Sequence, residues 1–279
     1  MSVLKKLVAV LKPFIERFPR ISMLYRVMRD QYKSLEEPKN TTWGFKLAGN
    51  SSMVAGTFEA DETGFVRKAL KDVEVLVNVG ANIGYYCCHA LSMGKDVIAF
   101  EPVLSNVNYL CKNIKANKWS GVEIFPIALT NKVDVLEIFG GGTGASILKG
   151  WAGTPESYSS VVPSSTMDLV LGERLKGKRV LVLVDVEGAE YSMLEGATKM
   201  LQNDPKPIWL MEITTYENQP AGVELNPKFK STFQLFFQNG YSAYVLGKQL
   251  RLVSAEDIDL VVSGRQTLES HNFLFKSAV

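Results

Sequence analysis

Three clusters in the 279-residue chain have the residue types and spacing to do chemistry. The first is Glu74-Val-Leu-Val-Asn-Val-Gly-Ala-Asn-Ile-Gly84, a hydrophobic run that passes straight into a glycine-rich turn. Gly80 can take backbone angles closed to other residues, and Gly84 lets a following helix pack closely. The N–H groups at the helix start, around Ala81 and Asn82, can receive a carboxylate such as that of a bound amino-acid moiety. The second is Glu101, at the end of the next predicted strand, placed to accept hydrogen bonds from two ribose hydroxyls. The third is the series Asp185, Glu187 and Glu190, with Glu212 further on. Carboxylates at strand ends can take up a proton as general bases or hold neighbouring hydroxyls.

The spacing narrows what the first two clusters can bind. A dinucleotide turn reads G-x-G-x-x-G, whereas the position two after Gly80 is Asn82, so no close backbone approach to a pyrophosphate is provided. Ribose binding survives without the diphosphate. Ile127-Ala128-Leu129-Thr130, read as the end of the third strand, offers apolar and backbone contact to a base, with Ala128 beside it. Alone, a strand followed by Gly-x-x-x-Gly is often an ordinary tight turn, and a strand-end Glu is usually a solvated cap. Their combination is much harder to obtain by chance.

These residues need elements to position them. Val- and Leu-rich runs at 73–79, 96–100, 122–127, 180–184 and 208–213 lack polar alternation, as expected of parallel strands covered on both faces. Val103, Val107, Leu110 and Ile114, and later Phe229, Phe233, Phe236 and Phe237, recur at helical spacing between them. Segments 241–246, 250–253 and 272–275 read as closing strands, with an antiparallel edge. The chain is thus expected to be a doubly wound α/β domain over residues 42–279, opening on a lead-in hairpin at 43–58 and a helix from Asp61. Gly140-Gly-Gly-Thr-Gly-Ala-Ser146 and Trp151-Ala-Gly-Thr-Pro155 read as a lid that excludes water, with Ser146 near the substrate. His271 opens the last strand and is a candidate for substrate contact, while His89 falls inside a helix and reads as structural.

Residues 1–41 form an expected helical extension and linker. Leu4, Leu7, Val8, Leu11, Ile15 and Phe18 make an apolar stripe too short for a membrane span. It suits packing on the main domain, dimerisation or peripheral membrane contact, and the sequence leaves these open. No signal peptide is read. A formal net charge of +2 gives no basic stripe for nucleic acid. Cys87, Cys88 and Cys111 show neither disulfide nor zinc spacing, which fits a reducing cytoplasmic compartment, and no metal is expected.

Val79-Gly-Ala-Asn-Ile-Gly84, Ala99-Phe-Glu-Pro102, Val184-Asp-Val-Glu-Gly-Ala-Glu190 and Leu210-Met-Glu-Ile213 together resemble the successive motifs of FkbM-type methyltransferases. The resemblance spans roughly residues 43–275, and the Asp-Val-Glu-Gly-Ala-Glu string is its most distinctive part. It implies a seven-stranded Rossmann-like methyltransferase fold with S-adenosylmethionine on the first half, held by Asn78, Gly80, Ala81, Asn82, Gly84, Glu101 and Ala128. The acceptor, a hydroxyl of a small molecule or glycan with a sugar favoured, would lie over the fourth and fifth strand ends. Asp185 is the leading base there, Glu212 the second, and Glu187 an acceptor contact. The family usually has Asp where this chain has Asn78, so a carboxylate facing the cofactor's cationic end is replaced by an amide. Two other classes stand against this reading: an NAD-dependent oxidoreductase, disfavoured by the glycine spacing, and a non-catalytic S-adenosylmethionine-binding or partner-binding protein.

Overall fold

The computed structural model describes residues 36–278, so the expected N-terminal helix lies outside the described residues. The first elements are a two-stranded antiparallel hairpin, β1 (Lys39–Asn40) and β2 (Lys46–Leu47), then helices α1 (Ser51–Ala55) and α2 (Ala60–Ala69). The hairpin begins ahead of the expected domain start at Thr42. Asn50-Ser51-Ser52 is not a hairpin turn: the Asn50 side chain accepts from the Met53 N–H and caps α1. An Asn that can turn a chain can equally satisfy the first free N–H groups of a helix.

Alternation then follows the expected order: β3 (Val75–Val79), α3 (Tyr85–Ser92), β4 (Asp96–Phe100), α4 (Leu104–Ala116) and β5 (Val122–Phe125). After Phe125 the chain leaves the main sheet. β6 (Ala128–Leu129), β7 (Asp134–Phe139) and β8 (Ser159–Ser165) build a separate three-stranded sheet in the order β6-β8-β7. Ala128 therefore belongs to this second sheet and not to the third strand of the first. Next come α5 (Met167–Leu171), β9 (Val180–Val184), α6 (Glu190–Glu195), α7 (Thr198–Leu201), β10 (Ile208–Glu212) and α8 (Phe229–Gln238). β11 (Tyr241–Val245), β12 (Arg251–Val253), α9 (Ala255–Val262) and β13 (Asn272–Ser277) close the chain.

The main sheet has eight strands, not seven, in the order β12-β11-β13-β10-β9-β3-β4-β5. β5, β4, β3, β9 and β10 are mutually parallel, and β13 runs antiparallel between β10 and β11. The short β12, antiparallel to β11, forms the expected antiparallel edge, and β13 is a further antiparallel strand inside the sheet. Alternate residues feed two cores, as strands covered on both faces require. Val75, Val77, Val182 and Trp209 pack with Phe229, Phe233 and Phe236 of α8, whereas Leu76, Leu181, Leu183 and Leu210 pack with Cys87, Leu91, Leu110 and Ile114. No helix among the described residues is long and apolar enough to cross a membrane.

Strand order reverses between β3 and β9, and there the two strand ends meet most closely. Gly80 has φ +79°, and a Cβ on it would overlap the carbonyl oxygen of Asp185. Gly84, also at positive φ, faces the Leu110 side chain of α4 with no room for a methyl group. Gly80→Ala should therefore cost about 2–4 kcal/mol, from the left-handed backbone plus forced separation of β3 from β9. Chemical denaturation of the purified variant measures this; a loss of less than about 0.5 kcal/mol, the usual surface-substitution range, would mean the approach is not tight.

Candidate active site

Two chambers open at this switch point, where ligands of doubly wound sheets bind. One, about 580 Å³, is lined mainly by apolar side chains: Phe100, Val103, Ile127, Leu129, Ile138 and Val186, with Ala128 and Glu101 among them. The other, about 1190 Å³, is lined by Glu59, Glu62, Asp185, Glu187 and Glu212, together with Asn78, Ala81, Tyr85 and Tyr86. Gly80, Asn82, Thr143, Asp185 and Glu187 line both, so the chambers join at the ends of β3 and β9.

Glu101 is buried at the end of β4 and already well used. Its Oε2 accepts from the Asn82 N–H at 2.7 Å, and its Oε1 from the Val103 N–H at 2.8 Å and from Asn106 Nδ2 at 3.2 Å. A carboxylate has about four lone-pair sites, so one remains, on Oε2, for a ligand hydroxyl, not the two that the sequence suggested. Burial pushes its pKa up to about 6, while these donors pull it down. Asn82 holds its N–H toward Glu101 by adopting φ +50°. Asn78 is buried in β3; its Nδ2 lies 3.4 Å from Cys87 Sγ, and its Oδ1 has no hydrogen-bond partner among the described residues.

The larger chamber is acidic throughout. Asp185 is open to the cleft yet ringed by protein beyond it, so water reaches it only from one side. The surrounding protein, reinforced by Glu212, Glu187, Glu62 and Glu59, raises its pKa well above the ordinary value. Burial and the same neighbours lift Glu212 to about 8. Asp185 and Glu212 are thus both shifted upward, each carboxyl's charge opposing ionisation of the others. On the opposite wall, the Tyr86 hydroxyl lies 2.9 Å from both Glu59 Oε2 and Glu62 Oε1, and Glu62 is raised to about 7, chiefly by burial.

The glycine-rich loop is pinned over the junction. Trp151, 1% exposed, donates its indole N–H to Glu187 Oε2 at 2.7 Å, and Ser146 Oγ donates to the Glu187 carbonyl at 2.6 Å. Asn106 Nδ2 also donates to the Gly142 carbonyl at 2.9 Å, which ties the loop to Glu101's surroundings. The loop reaches the small chamber through Gly142, Thr143, Ala145 and Ile147.

Several expected site residues take supporting positions. Ser146 is fully engaged in holding the loop and lines neither chamber, and Gly84 spaces α3 from α4 instead of facing a ligand. His271 lies outside the chamber wall, its Nε2 3.7 Å from Glu212 Oε1. Glu190 is buried and accepts the Gly188 N–H at 2.8 Å, closing its own turn. His89 is structural: it is wholly buried, Nδ1 is 2.9 Å from Arg67, and burial drops its pKa to about 3. Cys87 is buried and pushed up to about 12, too high for a nucleophile. Glu59, Glu62, Tyr86, Asn106 and Trp151 were not found by sequence reasoning. Glu59 and Glu62 look like ordinary helix-start acids, and nothing local marks the other three. Among the described residues no group of three His, Cys, Asp or Glu is disposed to hold a metal ion.

An apolar pocket beside an acidic one, at the switch point of a largely parallel sheet, defines a doubly wound α/β protein with a ligand cleft at its strand ends. Its family is narrower: the chain belongs to the methyltransferase FkbM domain family, whose model matches residues 78–243. The family implies use of S-adenosylmethionine and sets the dinucleotide reading aside. No curated protein matches the chain. Among solved structures it is similar to a protein from Klebsiella pneumoniae described as a candidate O-methyltransferase (11% identity, 97% of each chain covered, TM-score 0.46). It is also similar to a precorrin-6y C5,15-methyltransferase from Geobacter metallireducens GS-15 (10% identity, 82% of this chain and 91% of that one, TM-score 0.39). A third is an rRNA methylase from Streptococcus thermophilus (10% identity, 78% and 95% covered, TM-score 0.39).

The acidic chamber makes stability depend on pH in a definite direction. Glu212 ordinarily titrates near 4.5 and here near 8, so between those values the folded chain binds more protons than the unfolded one. Stability is then highest at the acid end of that window and falls as pH rises toward 8. Glu212→Gln should flatten this fall by an amount on the order of a few kcal/mol. Denaturant unfolding at several pH values between 5 and 8 checks it, and an unchanged slope would remove Glu212 from the set of raised carboxyls.

Proposed function

We propose that the chain is an S-adenosylmethionine-dependent O-methyltransferase acting on a hydroxyl of a small molecule or glycan, a sugar hydroxyl being favoured. The observation that carries this reading is the position of Asp185, on the wall shared by the two chambers. A carboxylate at that junction can face a hydroxyl in the larger chamber while bordering the nucleoside pocket.

The residues present fit the cofactor. The remaining lone pair of Glu101 suits a ribose hydroxyl and Ile127, Ala128 and Leu129 suit the base, whereas the N–H groups of Gly80, Ala81 and Asn82, expected to receive the carboxylate end, are already given to the Phe100 carbonyl and to Glu101, so that turn shapes the cleft without a free donor. Asn78 Oδ1, without a partner, can still accept from an ammonium group, though without the charge an Asp would supply. When bound, S-adenosylmethionine supplies an electrophilic methyl group on a sulfonium. The chain's part is positioning and deprotonation. An alcohol holds its proton tightly at neutral pH, and a carboxylate whose pKa has been raised by enclosure is a stronger acceptor for it than a free one. Asp185 takes the hydroxyl proton, and Glu212, coupled to it, shares the load. Glu187 braces the loop that keeps water from the junction. The carboxylate-rich wall favours a polyhydroxylated acceptor, since neighbouring hydroxyls pair well with carboxylates.

Asp185→Asn preserves shape but removes the basic oxygen. Turnover of labelled methyl groups into an acceptor found by mass spectrometry of glycans and metabolites should fall roughly 10²- to 10⁴-fold, with S-adenosylmethionine affinity nearly constant. Full turnover in the variant would take Asp185 out of the mechanism, and joint collapse of binding and activity would make it a cofactor residue, with Glu212 the better base. For the cofactor side, Glu101→Gln should weaken S-adenosylmethionine binding by about 1–3 kcal/mol in calorimetry. Equal affinity in a folded variant would place the ribose elsewhere.

A further inference from the structure

The proposed function gives no task to the face on which the described chain begins. Residues 38–58 and 102–122, which include the β1–β2 hairpin and α4, meet there. The Asn117 side chain bonds both the N–H and the carbonyl of Lys46 at 2.7 Å, and Asn113 does the same to Ala48 at 2.7 and 3.1 Å. Acids make up 29 of the chain's 279 residues, yet neither segment contains one, while together they hold Lys39, Lys46, Lys112, Lys115 and Lys118. Lys46, Lys115 and Lys118 are exposed and make no ion pair among the described residues. Lys39 pairs with Glu36 at 3.6 Å, and Lys112 Nζ donates to the Glu36 carbonyl at 2.9 Å, which fixes the point where the preceding chain leaves. That point is therefore ringed by positive charge.

The sequence of residues 1–35 supplies an independent second observation. Eight Lys and Arg residues between Lys5 and Lys33 stand against two acids, Glu16 and Asp30, and the apolar residues from Leu4 to Phe18 recur at helical spacing. From the two together we infer that this segment and the lysine face hold the chain on the surface of an anionic lipid bilayer. Segment and face carry the same sign, so charge opposes packing of one on the other and draws both toward a negative partner. A nucleic acid answers the charge but leaves the apolar stripe in water. A second copy of the chain covers the stripe but brings one positive face toward another. An anionic bilayer meets both demands at once: the stripe enters the boundary of the acyl chains, and the lysines lie within a Debye length of the headgroups. A stripe too short to span a bilayer is long enough to lie on one. The inference does not depend on which group the chain methylates.

The test is co-sedimentation of the full chain with vesicles of phosphatidylcholine alone and of phosphatidylcholine with about a third phosphatidylglycerol. Binding to the anionic vesicles should be at least about tenfold tighter, and the difference should shrink at about 0.5 M salt, where the Debye length is short. Lys115→Glu/Lys118→Glu should weaken binding to the anionic vesicles by about tenfold or more, since each lysine near such a surface counts for about fivefold. Leu7→Gln/Leu11→Gln should weaken it by roughly tenfold through the apolar stripe. Circular dichroism checks that each variant is folded, and Lys46→Glu probes the same face should the first pair fail. No sedimentation with either vesicle, equal binding to both, or an affinity that survives either pair of substitutions would each overturn the inference. None of these lysines lines either chamber, so S-adenosylhomocysteine affinity in Lys115→Glu/Lys118→Glu should stay within about twofold. Failure of S-adenosylhomocysteine to bind the unaltered chain would strike the proposed function and leave the vesicle result to judge this one.

Discussion

The close approach of β3 and β9 at Gly80 is the constraint on which the rest of the site depends. The Asp185 N–H donates to the Val79 carbonyl at 3.0 Å, and the Gly80 and Ala81 N–H groups both donate to the Phe100 carbonyl at 2.9 Å. Three strand ends are thus tied across one turn, and no side chain can intervene because Gly80 lies against the Asp185 carbonyl. Asp185 is thereby held beside the turn, Glu101 is brought within reach of the Asn82 N–H, and the chambers open on either side of the same backbone. The two chambers therefore meet across the ends of β3 and β9, sharing Gly80, Asn82 and Asp185 in their linings.

Electrostatics follows from the same geometry. Parallel strands end in step, so acids placed at or just beyond the ends of β9 and β10 are bound to face one cavity, and α2 adds two more from across it. Each carboxyl then finds its own burial and its neighbours' charge working together, which is why Asp185, Glu212 and Glu62 all move upward. Glu190 also moves upward, to about 7, chiefly from burial with the charge of Glu187 adding to it, yet its backbone contact closes its own turn and it lines neither chamber. A raised pKa therefore does not by itself mark a functional carboxyl here; the lining of the chamber does.

Much of this was legible in the sequence, and the exceptions have physical causes. Strands 96–100 and 180–184 fall where the Val- and Leu-rich runs place them, since a doubly covered strand needs an unbroken apolar run. The turn at Gly80 and the strand-end Glu101 were readable because backbone strain and spacing leave marks in residue type. The second sheet was not, because Ser159–Ser165 is rich in serine and Asp134–Phe139 is half exposed, so neither looks like a core strand. Helix 255–262 was missed although Ser254 and Asp257 form a capping box at its start, a local signal overlooked between two strands. Glu59, Glu62 and Tyr86 could not be joined to Asp185 from sequence, because their meeting is a product of tertiary packing between segments far apart in the chain.

Glu187 shows how the loop and the chemistry are made interdependent. It holds φ +51°, a left-handed conformation that costs a non-glycine residue about 1–2 kcal/mol. Two loop contacts, from Trp151 to its carboxylate and from Ser146 to its carbonyl, offset that cost, and the next residue, Gly188, cannot carry a Cβ without striking Leu148 and Trp151. The turn after β9 and the loop over the junction are therefore stable in these positions only together. Because Glu187 lines both chambers and neighbours Asp185 in the chain, a loop that lifted away would release the strained turn beside the proposed base. The seating of the loop over the junction and the placement of Asp185 are in this way tied to one set of packed contacts around Glu187 and Gly188.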